Sequence, residues 1–70
     1  MEEKTISAKL GNNLKRIRTQ KGISQGDISR KLDMDRAYIS GIENGKRNPT
    51  LYNIEKIAKS LGVSIDELLK

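Results

Sequence analysis

Apolar residues recur along the chain at three- and four-residue intervals, in five short runs bounded by residues that start or stop helices. The first run, Leu10, Leu14 and Ile17, opens after Ser7, an N-cap residue type, and ends at Gly22. Ser24 with Asp27 three residues later is a capping signal, and Ile28 and Leu32 then give a second helix its inward stripe, stopped by Asp33. Asp35 caps a third helix that turns Ile39 and Ile42 inward and closes on Asn44-Gly45 as a left-handed end. Asn48-Pro49 forces an extended turn. Thr50 caps a fourth helix with the stripe Leu51, Ile54, Ile57, Ala58 and Leu61, closed by Gly62. Ser64 and Glu67 form a capping box for a last short helix carrying Ile65, Leu68 and Leu69. No run alternates with period two, so the pattern predicts an all-α fold: a compact bundle of five short helices over residues 7–70, behind a loose arm of residues 1–6.

The second and third helices are separated by about three residues, the spacing of a helix-turn-helix rather than of an antiparallel hairpin. Such a pair needs apolar or small side chains where the helices meet, and Ile28, Ser29, Leu32, Met34, Ile39 and Ile42 supply them. A large residue in place of Ser29 would separate the helices. Asp33 stands in the turn where glycine is commonest, and aspartate tolerates the left-handed conformation at modest cost.

Composition narrows the function. The chain has 70 residues and a net charge of +5, with neither cysteine nor histidine. A single domain of this size buries only about 60% of its unfolded surface, and neither disulfides nor the usual nitrogen and sulfur metal ligands can reinforce it. No apolar run approaches the ~20 residues of a membrane span or the hydrophobic stretch of a signal peptide, which implies a cytoplasmic protein without membrane contact. The charge is concentrated: Lys15, Arg16, Arg18, Lys21, Arg30, Lys31, Arg36, Lys46 and Arg47 face only Asp27, Asp33, Asp35 and Glu43 within residues 15–47, while the flanks together are neutral. That distribution suits a polyanionic partner, although a solvated basic face would look the same on charge alone. An enzyme would need an activated nucleophile or a metal site, which a chain without histidine and cysteine is ill equipped to build; Asp33 and Asp35 already serve the turn and a cap. Neither catalysis nor a cofactor or metal is expected.

Three ordered blocks carry a family resemblance: Gln25-Gly26-Asp27-Ile28-Ser29-Arg30-Lys31-Leu32, Tyr38-Ile39-Ser40-Gly41-Ile42-Glu43-Asn44-Gly45, and Arg47-Asn48-Pro49-Thr50-Leu51. They resemble the phage repressor and Cro type of helix-turn-helix domain, the Xre family, over residues 8–69. Within it, Asp35-Arg36-Ala37-Tyr38-Ile39-Ser40 followed by Arg47-Asn48-Pro49 is most similar to the controller proteins of restriction-modification systems. The resemblance implies a lambda-repressor-like fold whose third helix enters the major groove by its N-terminal half.

Read chemically on that frame, Arg36 is the base-reading candidate, since a guanidinium can bond O6 and N7 of guanine together. Ala37 offers a methyl group to thymine or simply avoids a clash. Gly41 would let the backbone approach DNA closely. Tyr38 either contacts a base edge or phosphate, or packs its ring on the scaffold and exposes only its hydroxyl. The family equivalent of Gln25 clamps the DNA backbone and braces the recognition helix; Ser24 beside it contacts the backbone or does no more than cap. Ser40, Asn44, Lys46, Arg47 and Asn48 surround the groove in the family arrangement, with Arg47 and Asn48 also within reach of base edges; Asn44 is equally what the end of a helix wants. Arg18 and Glu43 match a partly buried family salt bridge that serves the scaffold.

The implied function is a sequence-specific transcriptional regulator, a homodimer on a pseudo-palindromic operator in double-stranded DNA. It would repress where it blocks RNA polymerase and activate where it touches it. Ile65 and Leu69 are the candidate dimer interface, unless they belong wholly to the monomer core. The other class the motif admits is a protein-binding module, an antitoxin or a phage-type regulator whose main partner is another protein. Binding to duplex DNA that weakens steeply with salt separates the two.

Overall fold

In the computed structural model, which describes residues 4–70 with side chains from Ile6 onward, five helices follow one another: α1 (Lys4–Gln20), α2 (Gln25–Leu32), α3 (Arg36–Glu43), α4 (Leu51–Leu61) and α5 (Ile65–Leu69). Each start after α1 is held by the side chain of the residue before it. The Ser24 hydroxyl accepts from the Asp27 N–H at 2.9 Å, and the Asp27 carboxylate accepts from the Ser24 N–H at 2.9 Å, a complete capping box. Asp35 and Thr50 accept from the N–H groups of Ala37 and Asn53. Ser64 accepts from the Glu67 N–H at 3.4 Å, but the Glu67 carboxylate lies 3.3 Å from the Lys70 ammonium, so the expected box forms on one side only.

The helix ends follow equally local chemistry. Asp33 caps α2 in the left-handed conformation, φ 56° and ψ 44°. At the end of α3 the left-handed residue is Gly45 (φ 73°) while Asn44 keeps φ −91°. The Gly45 N–H donates to the Ile42 carbonyl at 3.0 Å and the Lys46 N–H to the Gly41 carbonyl at 2.8 Å, satisfying two of the orphan acceptors of that end.

α1 packs on α3 and α5, α2 on α3 and α4, and α4 on α5. Between them Leu10, Leu14, Ile17, Ile28, Ile39, Ile42, Ile54, Ile57, Ala58, Leu61 and Leu68 form one buried core. Ile65 and Leu69 are half-buried against it, each keeping part of its side chain at the surface. The Asn13 amide donates to the Leu68 carbonyl at 2.9 Å, tying the end of α5 to α1.

Two readings of the pattern change. α1 begins at Lys4, so residues 4–6 of the supposed arm are helical and Ser7 lies inside the helix instead of capping it; residues 1–3 fall outside the described residues. No glycine or proline interrupts the chain between Lys4 and Ser7, and the extension adds no core residue, because Ile6 is 68% exposed. Leu51 is likewise no part of the α4 stripe. As the first residue of that helix it points outward and is 73% exposed, leaving Ile54 as the first buried position.

α1 approaches α3 closely at Gly11. A Cβ there would stand 2.5 Å from the Ile42 carbonyl oxygen and 2.6 Å from that of Glu43. Only glycine allows this crossing, and the spacing of apolar residues carries no sign of it.

Candidate nucleic-acid interface

α2 and α3 are joined by a turn of Asp33, Met34 and Asp35 in which the Ser29 hydroxyl donates to the Met34 carbonyl and the Met34 N–H returns a bond to the Ser29 carbonyl at 2.9 Å. This clasp fixes the angle between the helices. With Ile39 and Ile42 fully buried, the opposite face of α3 is turned to solvent. Arg36 and Ala37 are exposed at its first turn, Ser40 is half-buried, and Asn44 is exposed at its end with its amide 3.5 Å from the Ser40 hydroxyl. The Arg36 guanidinium has no ion-pair partner among the described residues.

The three helices around this face are locked by one carboxylate. Glu43 Oε2 accepts from Arg18 Nε at 2.6 Å, and Oε1 accepts from Arg18 Nη2 and Gln25 Nε2, each at 3.0 Å. Arg18 Nη1 also donates to the Ile23 carbonyl at 2.9 Å. The side chains of Arg18 and Glu43 are 10% and 3% exposed. The bonds to Glu43 push the guanidinium further above its ordinary pKa, against the opposing cost of burial. A carboxylate can only accept, so the Gln25 amide must turn its NH2 toward Glu43, which orients the first side chain of α2 from the end of α3.

The loop after α3 folds back on the helix. Lys46, Arg47 and Asn48 are all exposed, and Asn48 Oδ1 accepts from the Ser7 hydroxyl at 2.6 Å. The Arg47 stem lies over Gly41, where a Cβ would stand 2.5 Å from Arg47 Cγ. The missing side chain of Gly41, expected to let the helix backbone approach DNA closely, here makes room for the Arg47 stem. Tyr38 packs its half-buried ring on the core, and its hydroxyl accepts from Asn53 Nδ2 at 3.0 Å, which leaves its own O–H to donate. The Ser24 hydroxyl accepts the Asp27 N–H in the α2 cap and keeps its own O–H to donate. Ser7 and Asn53, which support Asn48 and Tyr38, lie in α1 and α4 and carry no local signal in the sequence. Among the described residues no group of three or more acidic side chains converges to hold a metal ion, and no helix is long and apolar enough to cross a membrane.

A clasped pair of short helices, the second presenting an outward face with an exposed arginine at its start, defines a helix-turn-helix DNA-binding domain. The Helix-turn-helix family pattern matches residues 14–68, and the chain belongs to that family of DNA-binding transcriptional regulators. It is 47% identical over 64 residues to the control protein C.MunI of Mycoplasma sp, a match covering 90% of this chain and 86% of that protein. Its fold is similar to that of the restriction-modification controller protein C.AhdI from Aeromonas hydrophila, with a TM-score of 0.84, 40% identity, and coverage of 89% of this chain and 94% of that one. It is similar also to the controller protein C.Esp1396I, solved as a tetramer with its natural 35 base-pair operator: TM-score 0.78, 41% identity, covering 93% of this chain and 96% of that one. The resemblance to the Xre type, and within it to controller proteins, is the one these relatives display.

Proposed function

We propose that the chain acts as a homodimer on a pseudo-palindromic operator and controls a restriction-modification operon, as the names of its relatives suggest for those proteins. The observation that carries this reading is the outward face of α3, with Arg36 exposed and unpaired among the described residues at the helix start, opposite the fully buried Ile39 and Ile42. With α3 in the major groove, Arg36 reads a guanine and Ala37 lies against the neighbouring base. The second N–H of the Gln25 amide, Ser40, Asn44, Lys46 and Asn48 hold the phosphates on either side. Tyr38 supports this surface from within, and Ile65 and Leu69 carry the remaining apolar surface of α5 to a partner copy. The protein works in the cytoplasm by occupying DNA and meeting RNA polymerase there, not by catalysis.

Selection of binding sites from random duplexes tests the assignment. Arg36→Ala should relax preference at one position in each half-site, with about 1–3 kcal/mol of discrimination lost there. Uniform weakening at every site would reassign Arg36 to phosphate. The unaltered chain should lose affinity steeply with salt, the logarithm falling by about 0.9 per phosphate neutralised for each decade. A flat response would refute DNA binding and favour a protein partner.

A further inference from the structure

Asn44 is the asparagine that glycine follows, and the fold sets this Asn44-Gly45 pair at the end of α3. The other asparagines precede Asn13, Leu14, Pro49 and Ile54, whose side chains shield the next backbone nitrogen or, in proline, replace its hydrogen. Glycine shields nothing, so the Gly45 nitrogen is the backbone amide best placed to attack the side chain before it. The Asn44 side chain is exposed, and with Gly45, Ala8, Asn12 and Glu43 it lines a cleft of about 140 Å³ through which water reaches both residues. Three contacts and angles hold the attack off. The Gly45 N–H donates to the Ile42 carbonyl at 3.0 Å. At ψ 4° the Gly45 nitrogen is turned toward the Asn44 backbone nitrogen and away from its Cβ. The Asn44 amide leans the other way, 3.5 Å from the Ser40 hydroxyl one turn back. Attack therefore requires the last turn of α3 to open.

We propose that Asn44-Gly45 is a self-modification site gated by the end of α3, whose product places a negative charge on the surface turned to DNA. The consequence for DNA rests on the reading above. When the turn opens, a solvent base takes the Gly45 amide proton and the nitrogen attacks Asn44 Cγ. The new C–N bond closes a cyclic imide, and the Cγ–Nδ2 bond breaks as Nδ2 takes up a proton and leaves as ammonia. Water then adds to either imide carbonyl. Opening at Cγ gives aspartate, and opening at the former main-chain carbonyl gives isoaspartate, whose main chain is longer by a methylene. Nothing is oxidised or reduced; water enters and ammonia departs. Either product sets a carboxylate at the negative end of the helix dipole, where α3 has no basic residue in its last turn to offset it. Isoaspartate also shifts the register of the Gly45 and Lys46 N–H groups against the Ile42 and Gly41 carbonyls. Where the Asn44 amide donates to a phosphate, a carboxylate repels it.

The test incubates the full chain in mildly alkaline buffer, folded and in urea, and follows the peptide containing Asn44 by mass spectrometry, with hydrogen exchange at the Gly45 N–H measured beside it. Asn44 should convert ahead of every other asparagine, and folding should slow it on the order of tenfold or more. The slowing should be at least as large as the protection of the Gly45 N–H, since exchange needs that bond broken and attack needs the turn rearranged as well. Equal rates folded and in urea, or a slowing smaller than the protection, would overturn the gate; no conversion in the folded chain would overturn the site. The effect on DNA is read by comparing Asn44→Asp with Asn44→Ala on a duplex selected from a random pool by the unaltered chain. Asn44→Asp should bind on the order of tenfold more weakly than Asn44→Ala, with the gap narrowing as salt screens the new charge. Equal affinities would overturn the role of the charge, and so would a gap that ignores salt, by assigning the loss to the shape of the helix end. A parent whose own binding is flat with salt would instead remove the DNA-binding reading and leave the gated conversion standing.

Discussion

Replacing Arg18 by methionine strips Glu43 of two of its three donors and leaves Gln25 alone to hold a carboxylate whose side chain is 3% exposed. Breaking a buried pair from one side costs about 3–5 kcal/mol, and the lower figure applies here because Arg18 keeps some contact with water. A domain of this length has roughly 4–10 kcal/mol in all, so about 3 kcal/mol is a large share. At roughly 4–8 °C per kcal/mol the melting temperature should fall by on the order of 12–24 °C, read by circular dichroism, with a matching loss in urea at unchanged m-value. Arg18→Lys keeps the charge but not the planar fork that reaches Glu43 through two nitrogens and the Ile23 carbonyl through the third, and should cost about 1–2 kcal/mol. The double variant Arg18→Met with Glu43→Leu removes the charge with its partner and should recover most of the stability. It should not recover DNA affinity, because Gln25 has then lost the group that orients it. A loss below about 1 kcal/mol in Arg18→Met, or a double variant no more stable than it, would refute the account of a charge stranded by desolvation.

Gly11→Ala should destabilise the protein despite the better helix propensity of alanine, since its Cβ would meet backbone oxygens at 2.5 and 2.6 Å that cannot swing away; a raised melting temperature would contradict the close crossing. Hydrogen bonds from Ser24, its backbone N–H foremost, hold the Asp27 carboxyl below its ordinary range. A group depressed on folding stabilises the fold above its unfolded pKa of about 3.9 and loses that contribution as pH falls through the folded value. Asp27→Asn should therefore lower stability near neutrality and flatten the acid limb of a stability–pH curve measured below about pH 4; an unchanged acid limb would refute the linkage. Asp33→Gly should raise stability by up to about 1 kcal/mol in urea titrations by relieving the left-handed conformation, whereas Asp33→Val should lower it by more than that. Leu51→Lys should stay within about 0.5 kcal/mol of the parent, while Ile54→Ala three positions on should cost about 2–5 kcal/mol; a large effect at Leu51 would contradict its exposure.

Helices, caps and stops are local events, and the sequence alone determined nearly all of them. Ser24, Asp35, Thr50 and Ser64 start the helices they precede because a side-chain oxygen reaches a free N–H two or three residues ahead, and Asp33 stops one because aspartate tolerates positive φ. The apolar stripes placed the core, with Leu51 the exception, because periodicity gives a phase without saying where the partner surface ends. Arg36 and Ala37 were legible as groove-facing candidates only through the family resemblance, and the structure leaves both exposed.

What the tertiary structure decided are relations between residues far apart in the chain. The notch at Gly41 is filled by Arg47 from the following loop, the ring of Tyr38 is steadied by Asn53 from α4, and Asn48 is held by Ser7 from α1. Gly11 is required only because α3 crosses α1 at that point. None of these has a signature at its own position, since the group each residue answers to arrives from another helix once the core has set the crossing angles. The helix proposed to face DNA could thus be read from the sequence, but the support that gives its surface a shape came only with packing.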